Sequence, residues 1–286
     1  MSRAVKTFRV PPELKGERLD RVIPECCEDI SRRRARALIL EGRVQVDQKV
    51  CKVQGRPLRK GSQVRVYEST ETSRASYEDF DPPEIIYEDA DVVVINKPPG
   101  IAVQPAKSPS LRDLVSWWEF ARHETLKVVH RLDVPASGVV ILARNKKSAA
   151  RLSEQFQKHH LERIYCARVE GNLNNAEGRS LSIEAPLDKD KGKAFVSEQG
   201  RPAKTEVEVV KRAPDYDELK VLPHTGRFHQ IRVHLAHRGH PILGDRRYGA
   251  EPKERLFLHA YSLKVELPSG QTHTFTAEAS WLSKEI

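Results

Sequence analysis

The segment His130-Arg131-Leu132-Asp133 sets a carboxylate two residues from a guanidinium, ahead of the apolar run Gly138-Val139-Val140-Ile141-Leu142. Further along, Thr225-Gly226-Arg227-Phe228-His229-Gln230-Ile231-Arg232-Val233-His234 sets Arg227 and Arg232 around the start of an expected helix. A carboxylate that must stay ionised needs a fixed cation nearby, and these two segments can supply one. An ionised carboxylate can attack carbon as a nucleophile or remove a proton as a base. The residues alone leave both open.

The elements that must hold these groups follow from pattern. Asp91–Lys97 (DVVVINK) and Gly138–Arg144 read as buried strands, the first ended by Pro98-Pro99-Gly100. Lys147–His160 has helical spacing. Arg163–Val169, Asp217–Leu222 and Leu256–Leu267 read as strands, and Arg227–His237 as a helix that stops near Gly239 and Pro241. Strands without regularly alternating helices predict an α+β fold, with a mixed, mostly antiparallel sheet.

A separate pattern precedes them. Ser31 reads as an N-cap and Gly42 as the residue past a helix end. Between them Ala35, Leu38 and Ile39 form an apolar face, with Arg32, Arg33 and Arg36 on the other. Val44-Gln45-Val46-Asp47 alternates as a strand; Leu58, Val64 and Val66 read as a closing strand after a turn at Lys60-Gly61. Residues 69–83 are polar, end in two prolines and read as a linker. The expected division is a small α/β domain with its linker over residues 1–75, its core at about 16–68, and a catalytic domain over 76–286.

The 286 residues carry a net charge of +9, which favours a polyanionic partner over a small acidic metabolite. Cys26, Cys27, Cys51 and Cys166 show no CxxC spacing, arguing against a zinc site and a disulfide framework. No signal peptide or membrane span is apparent. The expectation is a cytoplasmic protein acting on RNA, as a monomer and without a membrane. Histidines 224, 229, 234, 237 and 240 invite a metal reading, but the helix carrying two of them has no acidic ligand; they read better as donors to RNA. Trp117-Trp118 read as core or interface rather than as base-stacking platforms.

Ser31-Arg32-Arg33-Arg34-Ala35-Arg36 places like charges at the positive end of a helix dipole, which is locally unfavourable and suits phosphate binding. With Gly16–Ile23 and the closing Leu58–Glu68, this region resembles the RNA-binding domain named after the fourth protein of the small ribosomal subunit. Asp47-Gln48 stands where that domain has Asn-Gly.

The HRLD string at 130–133, with NKPPGIAVQP (96–105), ERIYCARVEG (162–171), HTGRFHQIRVHLAHRGHPILGDRRYG (224–249) and LFLHAYSLKVELPSG (256–270), resembles the RluA family of pseudouridine synthases in order. The resemblance implies isomerisation of uridine to its C-glycoside in structured RNA, without cofactor or metal. It implies Asp133 as catalytic residue, Arg232 as its paired cation, Tyr165 packing on the target base, and Arg131 filling the stack left by the flipped uridine. A flipped base is the expected geometry, because the reacting atoms of a stacked base cannot be reached. Arg227, Arg32, Arg33 and Arg36 are expected RNA contacts. Ala136 and Gln104 depart from the family's usual threonine and histidine, which bears on the catalytic loop and substrate choice. Ribosomal RNA is the expected substrate. Transfer RNA, and a non-catalytic RNA-binding or ribosome-assembly protein on the same fold, are the alternatives; a metal-dependent nuclease is a third reading.

Overall fold

The computed structural model describes residues 6–27, 30–67, 77, 80–105, 111–158, 161–173 and 177–283. The side chain of Arg33, most of the expected linker and the end of the expected helix Lys147–His160 lie outside the described residues. The chain divides into two compact units, Met1–Asp79 and Phe80–Ile286.

In the first unit, strand β1 (Lys6–Arg9) leads to helices α1 (Leu19–Cys26) and α2 (Arg32–Leu40), then β2 (Val44–Val46), β3 (Lys49–Val50) and β4 (Gln63–Val66). The antiparallel sheet has the order β1-β4-β2-β3. Ser31 caps α2 by accepting from the Arg34 N–H at 3.2 Å, and Gly42 follows with φ +74°. Leu19, Val22 and Ile23 of α1 pack with Leu38, Ile39, Val44 and Val64. Leu58 joins this core but precedes β4 instead of belonging to it. The β2–β3 turn puts Asp47 at φ 51° and Gln48 at φ 66°, the left-handed pair for which Asn-Gly is favoured. Asp47 offsets that by accepting from the Gln63 N–H (2.8 Å) and the Ser62 hydroxyl (2.9 Å).

Arg32 and Arg36 share an ion-pair partner that the helical pattern did not show. Both reach Asp20, a buried residue of α1, Arg36 at 2.6 Å and Arg32 at 3.3 Å, and Arg18 joins them at 3.0 Å. Burial pulls the Asp20 carboxyl up, but these guanidinium groups outweigh it and hold it at about 2. The crowded cations therefore have an internal counter-ion. The arginine side chains remain about half exposed, at 45–50%.

In the second unit, β5 (Ile85–Glu88), β6 (Val92–Lys97), α3 (Leu114–Arg122), β7 (Lys127–Val128), β8 (Ser137–Ala143) and α4 (Lys146–Lys158) come first. There follow β9 (Glu162–Glu170), β10 (Ser180–Glu184), β11 (Leu187–Asp190), β12 (Lys193–Val196), β13 (Lys204–Arg212), β14 (Tyr216–Pro223), α5 (Gln230–His237), β15 (Leu258–Glu266) and β16 (Thr272–Thr276). The main sheet runs β10-β13-β14-β9-β15-β8-β6-β5, with β7 on β8 and β16 on β15. Every pairing in it is antiparallel except β8 with β15, as an α+β fold with a mostly antiparallel sheet requires. β6 carries the apolar run Val92–Ile95 and β8 the run Val139–Ala143, buried residues of strands inside the sheet. Trp117 and Trp118 of α3 are buried, as expected.

The parallel contact of β8 and β15 fixes the exit from the HRLD loop. It pairs Gly138 with Ala260, and Gly138 sits at φ 111° so close that a Cβ would lie 2.2 Å from the Ala260 carbonyl oxygen. Only glycine fits there.

Candidate active site

Asp133 stands on the loop between β7 and β8, and its carbonyl accepts from the Ala136 N–H at 3.1 Å, closing a tight turn. Ala136 is buried with Val169, Leu235 and Ile242, so the residue that lacks the family's hydroxyl places its methyl in the core. Behind the loop lies Lys97, fully buried at the end of β6. Its Nζ donates to the carbonyls of Pro98 (2.9 Å), Ile101 (3.0 Å) and Val134 (3.2 Å), three acceptors for the three protons of an ammonium. Burial brings Lys97 down to about 7 while Asp133 opposes that shift. Lys97 thus ties the Pro98–Ile101 turn to the residue following Asp133.

Arg232 comes from α5, which begins at Gln230 and not at Arg227 as expected. Gln230 explains the start. Its Oε1 accepts from the Arg227 N–H (3.0 Å) and the Thr225 hydroxyl (2.7 Å), and its Nε2 donates to Lys204 O (2.9 Å) and Thr205 Oγ1 (3.0 Å). The first turn of the helix is thereby bolted to β13.

The Arg232 guanidinium, 6% exposed, lies between two carboxylates. One terminal nitrogen donates to Asp133 Oδ2 at 2.9 Å. Nε and the other nitrogen donate to Asp245 Oδ2 and Oδ1, both at 2.7 Å. Burial works against the charged guanidinium, but the bonds to Asp245 and Asp133 outweigh it and push its pKa up. Asp245 is 2% exposed and makes the bidentate pair, so it fixes the plane from which Arg232 reaches Asp133. Gly244 delivers it: at φ 79°, a Cβ there would lie 2.0 Å from the Arg255 carbonyl oxygen. The sequence reading missed Asp245. Its signal was the Gly244-Asp245 step in a turn-rich stretch, with no periodicity to link it to Arg232.

His229 also faces Asp133, with Nε2 3.7 Å from Oδ1. Tyr165 lies on β9 with the apolar cluster of Val221, Leu258 and Leu235. Burial raises its hydroxyl pKa, Arg163 opposes, and Asp133 adds to the rise. Arg131 is exposed and makes no hydrogen bond or ion pair among the described residues. Arg227 donates from Nε to Pro202 O at 3.0 Å. The structure thus brings Asp133 and Arg232 into direct contact and sets Tyr165 within electrostatic reach of Asp133. Arg227 is tied elsewhere, and Arg32 and Arg36 belong to the other unit. Of the histidines considered as metal ligands, His234 bonds to Thr205 Oγ1 (2.9 Å) and Ala185 O (3.0 Å), His240 to Glu170 O (3.0 Å) and His224 to Glu206 (3.1 Å).

Residues 91–237 match the family described as RNA pseudouridylate synthase, and 17–64 match the S4 domain. The chain belongs to the RNA pseudouridylate synthase family. It is 38% identical to the dual-specificity RNA pseudouridine synthase RluA of Escherichia coli strain K12, over 71% of this chain and 99% of that protein. It is 34% identical to the ribosomal large subunit pseudouridine synthase D of the same strain, over 86% of this chain and 77% of that one. An uncharacterized RNA pseudouridine synthase of Aquifex aeolicus is 33% identical over 98% of both chains. Among solved structures, human RNA pseudouridylate synthase domain containing 4 superposes with a TM-score of 0.56 at 26% identity, covering 69% of this chain and 88% of that one. The family carries an enzyme class, RNA pseudouridine synthase, and the S4 match makes RNA the partner. Among the described residues no helix is long and apolar enough to cross a membrane.

Proposed function

We propose that this enzyme isomerises specific uridines in structured RNA, ribosomal RNA first, with Asp133 as the reacting group. The observation that carries the reading is the Arg232 bridge. A carboxylate 22% exposed at its side chain is paired at 2.9 Å with a buried guanidinium that a second carboxylate locks in place. That arrangement presents an oriented carboxylate at a partly open surface, which suits attack on a sugar carbon or removal of a ribose proton. Isomerisation breaks the bond from C1′ to N1 of the base, turns the base, joins C1′ to C5, and moves one proton in balance: C5 gives up its proton and N1, freed from the sugar, takes one up. Tyr165 offers a flat face to the extruded base. Arg131, exposed beside Asp133, can occupy the vacated stack, and this filling offsets part of the few kcal/mol that flipping costs.

Arg227 and the first unit's Arg32, Arg33 and Arg36 are proposed to bind the RNA backbone, with Asp20 spacing Arg32 and Arg36. We further propose that the enzyme acts as a monomer in the cytoplasm. The S4 match over 17–64 and the 34% identity to an enzyme named for the large ribosomal subunit support ribosomal RNA. The 38% identity to a dual-specificity enzyme keeps transfer RNA as the second substrate. Chemical mapping of pseudouridines in ribosomal and transfer RNA, from cells with and without this protein, tests the assignment. Positions lost only from ribosomal RNA are expected; an unchanged map would refute it.

A further inference from the structure

We propose that His229 is a positioning residue for Asp133, presenting a neutral Nε2–H donor to Oδ1 in a tautomer that Tyr248 sets. This rests on the reading of Asp133 as the reacting group. The geometry begins at Tyr248. Its hydroxyl accepts the Ala194 N–H at 3.1 Å and lies 2.7 Å from His229 Nδ1. Nδ1 is the acceptor within reach of its single proton among the described residues, and that proposed donation puts the ring proton of a neutral imidazole on Nε2. That nitrogen lies 3.7 Å from Asp133 Oδ1, whereas Oδ2 is taken by Arg232 at 2.9 Å.

His229 is held on every side. It stacks on Phe228 (3.8 Å between centroids) and meets Tyr248 edge-on at 5.6 Å. Its backbone lies in the left-handed region at φ 54°, which histidine tolerates better than most residues. The charged groups around it are Asp133 and Asp245, which favour the imidazolium, and Arg232 and Arg247, which oppose it. Burial exceeds them all and keeps the ring neutral down to about pH 4.

One donor leaves a carboxylate free to swing about its Cβ–Cγ bond; two donors on different oxygens fix its plane. At 3.7 Å the second is too long for a hydrogen bond in the free enzyme. As proposed, this contact shortens to a hydrogen bond in the RNA complex, so that Asp133 meets the ribose from one direction.

The test uses single-turnover pseudouridine formation on a bound RNA substrate, RNA affinity, and side-chain ¹⁵N spectra of the histidines, with His229 assigned through His229→Gln. In the wild type His229 is expected as the Nε2–H tautomer. Tyr248→Phe keeps the ring but removes the hydroxyl. It should mix the tautomers and slow the bound complex about tenfold at unchanged RNA affinity, the scale of a weak hydrogen bond to a charged group. His229→Gln keeps an N–H near the place of Nε2 and should retain more activity than His229→Ala. An Nδ1–H tautomer in the wild type, wild-type turnover in Tyr248→Phe, or equal losses in the two His229 variants would overturn the proposal. If the wild-type protein forms no pseudouridine, the reaction assigned to Asp133 fails instead, while the tautomer still decides whether Tyr248 sets His229.

Discussion

Asp245 touches no expected substrate atom, yet its loss should cripple the enzyme. Arg232 is 6% exposed at its side chain and spends two of its three nitrogens on Asp245, both bonds 2.7 Å long. Asp245→Ala removes both acceptors and leaves the two nitrogens buried. Breaking one side of a buried ion pair costs about 3–5 kcal/mol, a large share of the roughly 5–15 kcal/mol that holds a domain folded. Asp245→Asn keeps one acceptor oxygen and should lose about half as much. Either change lets the guanidinium turn away from Asp133, whose bond to Arg232 is 2.9 Å. A charge-assisted hydrogen bond contributes about 1.5–3 kcal/mol, so chemistry should slow about ten- to 150-fold. Urea unfolding gives the stability term. Release of tritium from C5-labelled uridine under single turnover gives the rate, and RNA affinity serves as the control. Asp245→Asn with full activity, or Asp245→Ala with an unmoved unfolding midpoint, would show that the second carboxylate does not set Arg232.

Three further expectations follow from the same contacts. Burial lowers His130 to about 3 and His229 and His259 to about 4, against an ordinary 6.5, so the unfolded chain takes up protons that the folded one refuses. Their stabilisation is complete above about pH 6.5 and lost as pH falls toward 4; urea midpoints should drop across that window, and a flat profile from pH 7 to 5 would contradict it. Gln48→Gly should raise the thermal midpoint, since glycine relieves φ 66° at a gain of up to about 1 kcal/mol; a lower midpoint would show that the Gln48 side chain matters more than its backbone. Arg32→Gln with Arg36→Gln should reduce the slope of log affinity against log salt by up to about two, leaving the rate on saturating RNA unchanged; an unaltered slope would assign these arginines wholly to Asp20.

The strands that build the site were readable because burial dictates their composition. β6 and β8 lie inside the sheet and carry the buried apolar runs Val92–Ile95 and Val139–Ala143, and the ends of β9, β14 and β15 shifted by only one or two residues. β10 and β11 were missed, since Ser180–Glu184 and Leu187–Asp190 are short and mostly polar. Helix α1 was missed because Pro24 lies inside it and its first turn carries Asp20, a charge that belongs indoors only once Arg18, Arg32 and Arg36 fold over it. The pairing of Asp133 with Arg232 came from family resemblance, and no spacing rule connects residues on separate elements. Asp245, Lys97 and Tyr248 escaped notice because their importance lies in contacts across the fold, to Arg232, to three carbonyls and to His229.

Asp133→Asn tests the central claim most directly. The substitution is nearly isosteric, keeps an oxygen for Arg232 and removes the charge. On an RNA fragment that the wild-type enzyme converts, the variant should bind with unchanged affinity, unfold near the wild-type midpoint and form pseudouridine at under about a hundredth of the wild-type single-turnover rate, the usual loss when an essential nucleophile or base is removed. Turnover above that level, in a folded variant that binds normally, would place the chemistry on another residue.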